Sequence, residues 1–205
     1  SASSQVLSAA QMLSGDSTRL KTEVGKELLA KAAGTVKRVS LELGGHAPFI
    51  VFEDADLDKA AQAVVTSRFR NAGQTCICTN RLYAQKSIAS ELARKVAELT
   101  AKLKVGNGLA EGTQVGPLID ERGFQKVEEH VQDAVSKGGT VLAGGEPYLT
   151  PKGNGTNGGN GAGGNGLKGW FYQPTVIGNA TPEMKVMFEE TFGPVAPLFR
   201  FKTEQ

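Results

Sequence analysis

Residues 48–85 read PFIVFEDADLDKAAQAVVTSRFRNAGQTCICTNRLYAQ, and this stretch decides the fold. Pro48 to Phe52 is a continuous apolar run of the kind found in strands buried on both faces. Asp54 or Asp56 can cap a helix that runs to about Phe69 and turns Leu57, Ala61, Val64 and Val65 inward. Arg81 to Gln85 then reads as a second strand. Strand, helix and strand in succession predict a parallel pair, because two adjacent parallel strands need a crossover that a helix supplies. Between the helix and the second strand lies the turn Phe69–Asn80, which holds both cysteines of the chain, Cys76 and Cys78.

The same alternation extends in both directions. Upstream, Thr22 to Ala33 reads as a helix with Val24, Leu28 and Leu29 on one face, stopped by Gly34. Val39 to Leu43 follows as a β-like run that ends at Gly44-Gly45. Downstream, Ile88, Leu92, Val96, Leu99 and Leu103 keep spacings of three and four, predicting a helix from Ser87 or Ser90 to about Leu103. A further helix is expected from Asp120 to about Lys137, with Phe124, Val127, Val131 and Val135 inward and His130 on its polar, solvated side. Thr140–Ala143, Trp170–Ile177 and Ala196–Phe201 read as strands, and Pro182–Glu190 as a short helix. The expected fold class is α/β, a three-layer open and largely parallel sheet. Residues 151–169 form a Gly/Asn tract with almost no apolar content, expected to be a mobile surface loop. Its G-x-G-x-x-G at 153–158 is accidental, since no strand precedes it and no helix follows.

Composition narrows the function classes. The chain has 205 residues, 40% hydrophobic and 21% charged, with a formal net charge of +2. That balance offers no single-sign field for nucleic acid, and no apolar stretch approaches the roughly 20 residues that span a bilayer. Two cysteines one residue apart do not make a secreted disulfide framework. One C-x-C also lacks the ligand count of a structural zinc site, so no metal is expected.

Cys76 is the candidate nucleophile, with a buried spectator thiol as the alternative. Of the two histidines, His46 follows a glycine pair and His130 is expected to be solvated, so a Cys–His dyad has little support. The more suggestive partner is Glu42, an acid inside the apolar run Leu41-Glu42-Leu43. A carboxyl group at a strand end beside two glycines can be partly desolvated, which suits a general base. The alternative is the solvent-facing member of an edge strand.

Three motifs carry a resemblance. Leu41-Glu42-Leu43-Gly44-Gly45, Gly73-Gln74-Thr75-Cys76 and Glu189-Glu190-Thr191-Phe192-Gly193-Pro194 resemble, in order, those of the aldehyde dehydrogenase superfamily. The 34 positions from Glu42 to Cys76 also resemble it. Phe69-Arg70-Asn71, Cys76-Ile77-Cys78, Gly116-Pro117-Leu118-Ile119 and Ala196-Pro197-Leu198 are similar to the succinate-semialdehyde branch. The resemblance implies NAD(P)-dependent oxidation of a small aldehyde, with succinic semialdehyde as the expected substrate. Cys76 would attack the aldehyde and Glu42 would activate water to hydrolyse the thioester. Glu190 would bond the nicotinamide ribose, Phe192 would pack near the nicotinamide ring and the Leu43 carbonyl would touch its amide. Arg70 would grip a far carboxylate, and Cys78 could form a reversible disulfide with Cys76. The full-length form would be a homo-oligomer, a dimer or tetramer, in the cytoplasm or mitochondrial matrix, with neither a membrane nor a nucleic-acid partner.

The departures from the family pattern are also specific. Residues 1–21 are a divergent leader, 22–42 resemble the end of a cofactor-binding domain, and 43–205 a partial catalytic domain. Thr18-Arg19-Leu20-Lys21 stands where the family reads Phe-Thr-Gly-Ser, and His46 where an asparagine is common. The family's oxyanion asparagine and cofactor lysine lie upstream of anything matched here. The expectation is therefore a fragment, incomplete at both ends, with negligible NAD(P)-dependent activity on its own. The alternatives are an inactive remnant or binding module and a cofactor-independent thiol esterase.

Overall fold

The computed structural model of the chain describes residues 23–148, 162–163 and 167–203. The leader and most of the Gly/Asn tract, including the expected loop, lie outside the described residues. In order the elements are α1 (Glu23–Ala33), β1 (Pro48–Val51), α2 (Leu57–Phe69), β2 (Arg81–Gln85), α3 (Ala89–Thr100), α4 (Glu121–Ser136), β3 (Thr140–Ala143), β4 (Ala162–Gly163), β5 (Leu167–Lys168), β6 (Thr175–Ala180), α5 (Lys185–Phe188) and β7 (Val195–Phe201).

Among the described residues five strands form one sheet in the order β1-β2-β7-β6-β3, and β4 pairs with β5. β1, β2, β7 and β6 run parallel, while the edge strand β3 is antiparallel to β6. The two-residue period of a strand distributes the core to both faces. Leu82, Ala84, Val176, Ala196 and Leu198 pack with α2 and α3. Ile177, Val195 and Phe199 point the other way, toward Val127, Val131 and Ala134 of α4. The result is the expected three-layer arrangement, with helices on either side of the sheet. Leu92 and Val96 of α3 are fully buried, each contributing about 1.5–3 kcal/mol over an exposed position. Asp56 caps α2 by accepting the Asp58 and Lys59 N–H groups. Asp120 caps α4 by accepting that of Gly123. Pro197 sits inside the central strand, normally a poor place for a residue without an N–H. It is tolerated beside a register shift in β6 between Ile177 and Ala180, where Asn179 takes a left-handed φ of 57°.

Five expectations are corrected. β1 is an edge strand with Pro48 and Ile50 exposed, not a strand buried on both faces. Val39–Leu43 is not a strand: residues 37–47 take no regular secondary structure, and Glu42 is exposed rather than desolvated. Leu28 and Leu29 of α1 are about half exposed, so the apolar face of that helix is not covered among the described residues. On α4 the buried face is Val127, His130, Val131 and Ala134. Val135 is exposed, because two successive steps of four overshoot the 3.6-residue turn. His130, expected in solvent, is fully buried for the same reason.

Candidate active site

The cysteine turn begins where α2 stops. Arg70 leaves helical geometry with ψ 131°, and Asn71, Ala72 and Gly73 then take left-handed φ values of 51°, 54° and 72°. Asn tolerates that region, and its side-chain amide secures it by donating to the Gln74 carbonyl at 3.1 Å. Glycine is required at position 73. A Cβ there would sit 2.2 Å from the Gly193 carbonyl oxygen. Gln74 fastens the turn to residues 117–119: its amide donates to Pro117 O at 3.2 Å, and its oxygen accepts the Ile119 N–H at 2.9 Å. Cys76 is half-buried and Cys78 buried, both as free thiols. The Cys78 thiol lies 2.8 Å from Thr75 O and 3.2 Å from Gly73 O.

The three motifs converge on this turn. A Cβ on Gly45 would lie 2.7 Å from the Cys76 carbonyl oxygen, so the second glycine of the pair lies against the cysteine backbone. A Cβ on Gly44 would lie 2.8 Å from Glu190 Oε2. Glu190 is buried and accepts a hydrogen bond from the Gly45 N–H. Burial pushes its carboxyl pKa up, against the lowering effect of that bond and of Lys126 and Arg68. Glu190 Oε1 is buried with no hydrogen-bond partner among the described residues. Two residues on, Phe192 has a left-handed φ of 51° and is 41% exposed, an unfavourable conformation for a bulky aromatic. Leu43 is half-buried and Glu42 exposed.

Two histidines hold the Glu190 loop in place. His46 Nε2 donates to the Met187 carbonyl at 3.0 Å. Burial, with Arg81 nearby, lowers its pKa to about 4, so the ring is neutral at pH 7. His130 Nε2 donates to the Glu189 carboxylate at 3.3 Å, and Nδ1 accepts from the Thr191 hydroxyl at 3.0 Å. Burial and Lys126 push its pKa down as well. A histidine with a depressed folded-state pKa binds its proton later than the unfolded chain does. Its contribution is complete above the unfolded value of 6.5 and is lost as pH falls toward 4. Glu190, shifted up, slopes the opposite way, so a variant isolates the histidine. His46→Asn should remove on the order of 3 kcal/mol of the stability change between pH 7 and 4, measured as the difference between the two proteins' urea-unfolding free energies across that range.

Beside the turn lies an open groove of about 550 Å³, lined among others by Arg70, Thr75, Ile77 and Cys78 and by Lys59 and Ser67 of α2. Arg70 is exposed there. Cys76, Glu42 and Glu190 do not line the groove. Among the described residues no group of three or more His, Cys, Asp or Glu side chains is placed to hold a metal, and no helix is long and apolar enough to cross a membrane. The sequence reading missed Arg68, His46 and His130 as parts of this region. The signal for Arg68 was present: 61, 64, 65 and 68 share one helical face.

Residues 20–205 match the model of the aldehyde dehydrogenase family. The chain belongs to the aldehyde dehydrogenase family. It is 49% identical over 183 residues to the glutarate-semialdehyde dehydrogenase of Pseudomonas putida. The identity to the succinate-semialdehyde dehydrogenase [NADP(+)] of Escherichia coli is also 49% over 183 residues. Both alignments cover 89% of this chain and 34% of the relative. The crystal structure of an aldehyde dehydrogenase from Brucella melitensis biovar abortus 2308 superposes with a TM-score of 0.78 at 46% identity, over 89% of this chain and 34% of that one. The chain thus spans about a third of the length of the aldehyde dehydrogenases it matches.

Proposed function

We propose that this aldehyde dehydrogenase segment carries the nucleophile and hydrolytic base for oxidising a carboxylate-bearing aldehyde, succinic semialdehyde to succinate. The observation that supports this most is the convergence of the three motifs, with Gly45 against the Cys76 backbone and Gly44 against the Glu190 carboxylate. In this reading residues 22–42 end a cofactor-binding domain and 43–205 belong to a catalytic one.

Cys76, as thiolate, attacks the aldehyde carbon and forms a thiohemiacetal, whose oxygen is held by the Cys76 backbone N–H. NAD or NADP, when bound, would supply the hydride acceptor needed to take this adduct to the thioester level. Glu42 then takes a proton from water, the water oxygen attacks the thioester carbonyl, and the C–S bond breaks to release the carboxylate and restore Cys76. Exposure of Glu42 leaves it open to the water it would activate. The residues present fit a nicotinamide nucleotide: the unpartnered buried Glu190 Oε1 suits a ribose hydroxyl, and the exposed Phe192 ring suits an apolar ring face. The Leu43 carbonyl would accept from the nicotinamide amide. Arg70, exposed in the groove, would hold the far carboxylate, for which a guanidinium offers two charge-assisted bonds. The names of the two relatives above specify carboxylate-bearing semialdehydes, which supports that choice. Cys78 would resolve oxidised Cys76 as a reversible disulfide, blocking attack. It would first have to leave its contacts with Gly73 and Thr75.

Glu42→Gln tests the hydrolytic half. With an activated ester as acyl donor, the variant should acylate Cys76 normally and release the acyl group more slowly by about 10²–10⁴. The readout is the acyl adduct followed by intact-mass spectrometry. Unchanged deacylation would remove Glu42 from the mechanism.

A further inference from the structure

Arg68 is completely buried on α2; the Glu190 carboxylate favours its charge from a distance, but its hydrogen bonds among the described residues go to Cys78, Asn80 and Gly193 and not to a carboxylate. Its guanidinium instead spans two segments. On one side Nη1 donates to Asn80 Oδ1 at 2.8 Å and to Cys78 Sγ at 3.4 Å, at the far end of the cysteine turn. On the other, Nη2 donates to the backbone carbonyl of Gly193, in the loop that carries Glu190 and Phe192. Nε makes no hydrogen bond among the described residues. The same Gly193 oxygen is the atom against which Gly73 is packed. A buried cation satisfied chiefly by neutral acceptors is costly to keep, so its retention calls for a role that a neutral side chain could not fill. A planar guanidinium can hold two acceptors in divergent directions at fixed separation. An ammonium concentrates its three donors on one nitrogen and does not reproduce that fixed separation.

We propose that Arg68 is a positioning residue, a clamp that fixes the nucleophile's turn relative to the Glu190–Phe192 loop. This assignment rests on the reading of Cys76 and Glu190 as parts of one site. It differs from the anchors at His46 and His130, which fasten the loop to residues outside the turn.

The test is amide hydrogen exchange on the whole chain, with Asn80 and Arg81 (both bonded to Ala47 O) reporting the turn and Val195 (bonded to Gly193 O) reporting the loop. In the wild type a clamp makes the two segments open together, with protection factors within about threefold of each other. Arg68→Met should lower protection of both by on the order of tenfold while leaving α3 unchanged. Arg68→Lys keeps the charge and should fail to restore both segments. Protection factors for turn and loop that differ by more than about tenfold in the wild type would overturn the proposal whether or not the variants fold. So would full restoration by Arg68→Lys, or a loss in Arg68→Met spread equally over α3. The thiol reactivity of Cys76 in the same wild-type sample separates the two readings. An inert Cys76 with coupled exchange refutes the active-site reading on which the role rests; a reactive Cys76 with uncoupled exchange refutes the clamp alone.

Discussion

Replacing Cys76 by serine should lower the rate of acyl-adduct formation from an activated ester by on the order of 10⁴, because a hydroxyl has neither the thiolate fraction nor the nucleophilicity of a thiol. Stopped-flow detection of the released leaving group gives the rate directly. Cys78→Ser should leave it within about threefold, since the Cys78 thiol is buried and held by the Gly73 and Thr75 carbonyls of the turn. Equal losses in the two variants would mean that the effect is collapse of the turn and not removal of the nucleophile.

The second large effect concerns stability. Gly73→Ala should destabilise the chain by about 4 kcal/mol, combining a left-handed φ with overpacking against a backbone atom that cannot rotate away. The φ is 72°, and the new Cβ would lie 2.2 Å from Gly193 O and 3.2 Å from Arg68 O. Such a loss is a large share of the total stability of a typical domain. The comparison is Gly108→Ala, where an added Cβ meets nothing within 4 Å and the change should stay within about 0.5 kcal/mol. Urea denaturation of both variants settles the matter: a Gly73→Ala midpoint equal to that of Gly108→Ala would show that the turn can relax away from the loop.

The fold was legible where side chains repeat with the period of their element. Leu57–Phe69 and Arg81–Gln85 formed as read, and with them the parallel sheet; Pro48–Val51 formed as a strand, but as an edge strand with Pro48 and Ile50 exposed, not one buried on both faces. The errors arose where one pattern fitted two structures. Val39–Leu43 alternates like a strand, but among the described residues no strand pairs with it, and it takes no regular secondary structure. On α4, choosing the valines over the true 3.6-residue face placed Val135 inside and His130 outside, the reverse of what packing requires. The candidate site was legible in its motifs and not in its supports. Glycines 44, 45 and 73 are small because Glu190, Cys76 and Gly193 approach them, contacts between segments up to 146 positions apart that no local pattern encodes. Arg68 was hidden because an arginine near a helix end normally reads as solvated; only its place on the face of Ala61, Val64 and Val65 argued otherwise.

The most direct measurement compares alkylation of the two thiols by iodoacetate and iodoacetamide, read by peptide mass spectrometry after brief exposure at pH 7. Cys76 should react at least about tenfold faster than Cys78, as a partly exposed nucleophile beside a buried thiol. The carboxylate of iodoacetate should give it an advantage over iodoacetamide at Cys76 that Arg70→Met abolishes. Labelling of Cys78 as fast as Cys76, or a neutral reagent that outpaces the anionic one regardless of Arg70, would contradict the assignment of Cys76 and Arg70 to one site for anionic aldehydes.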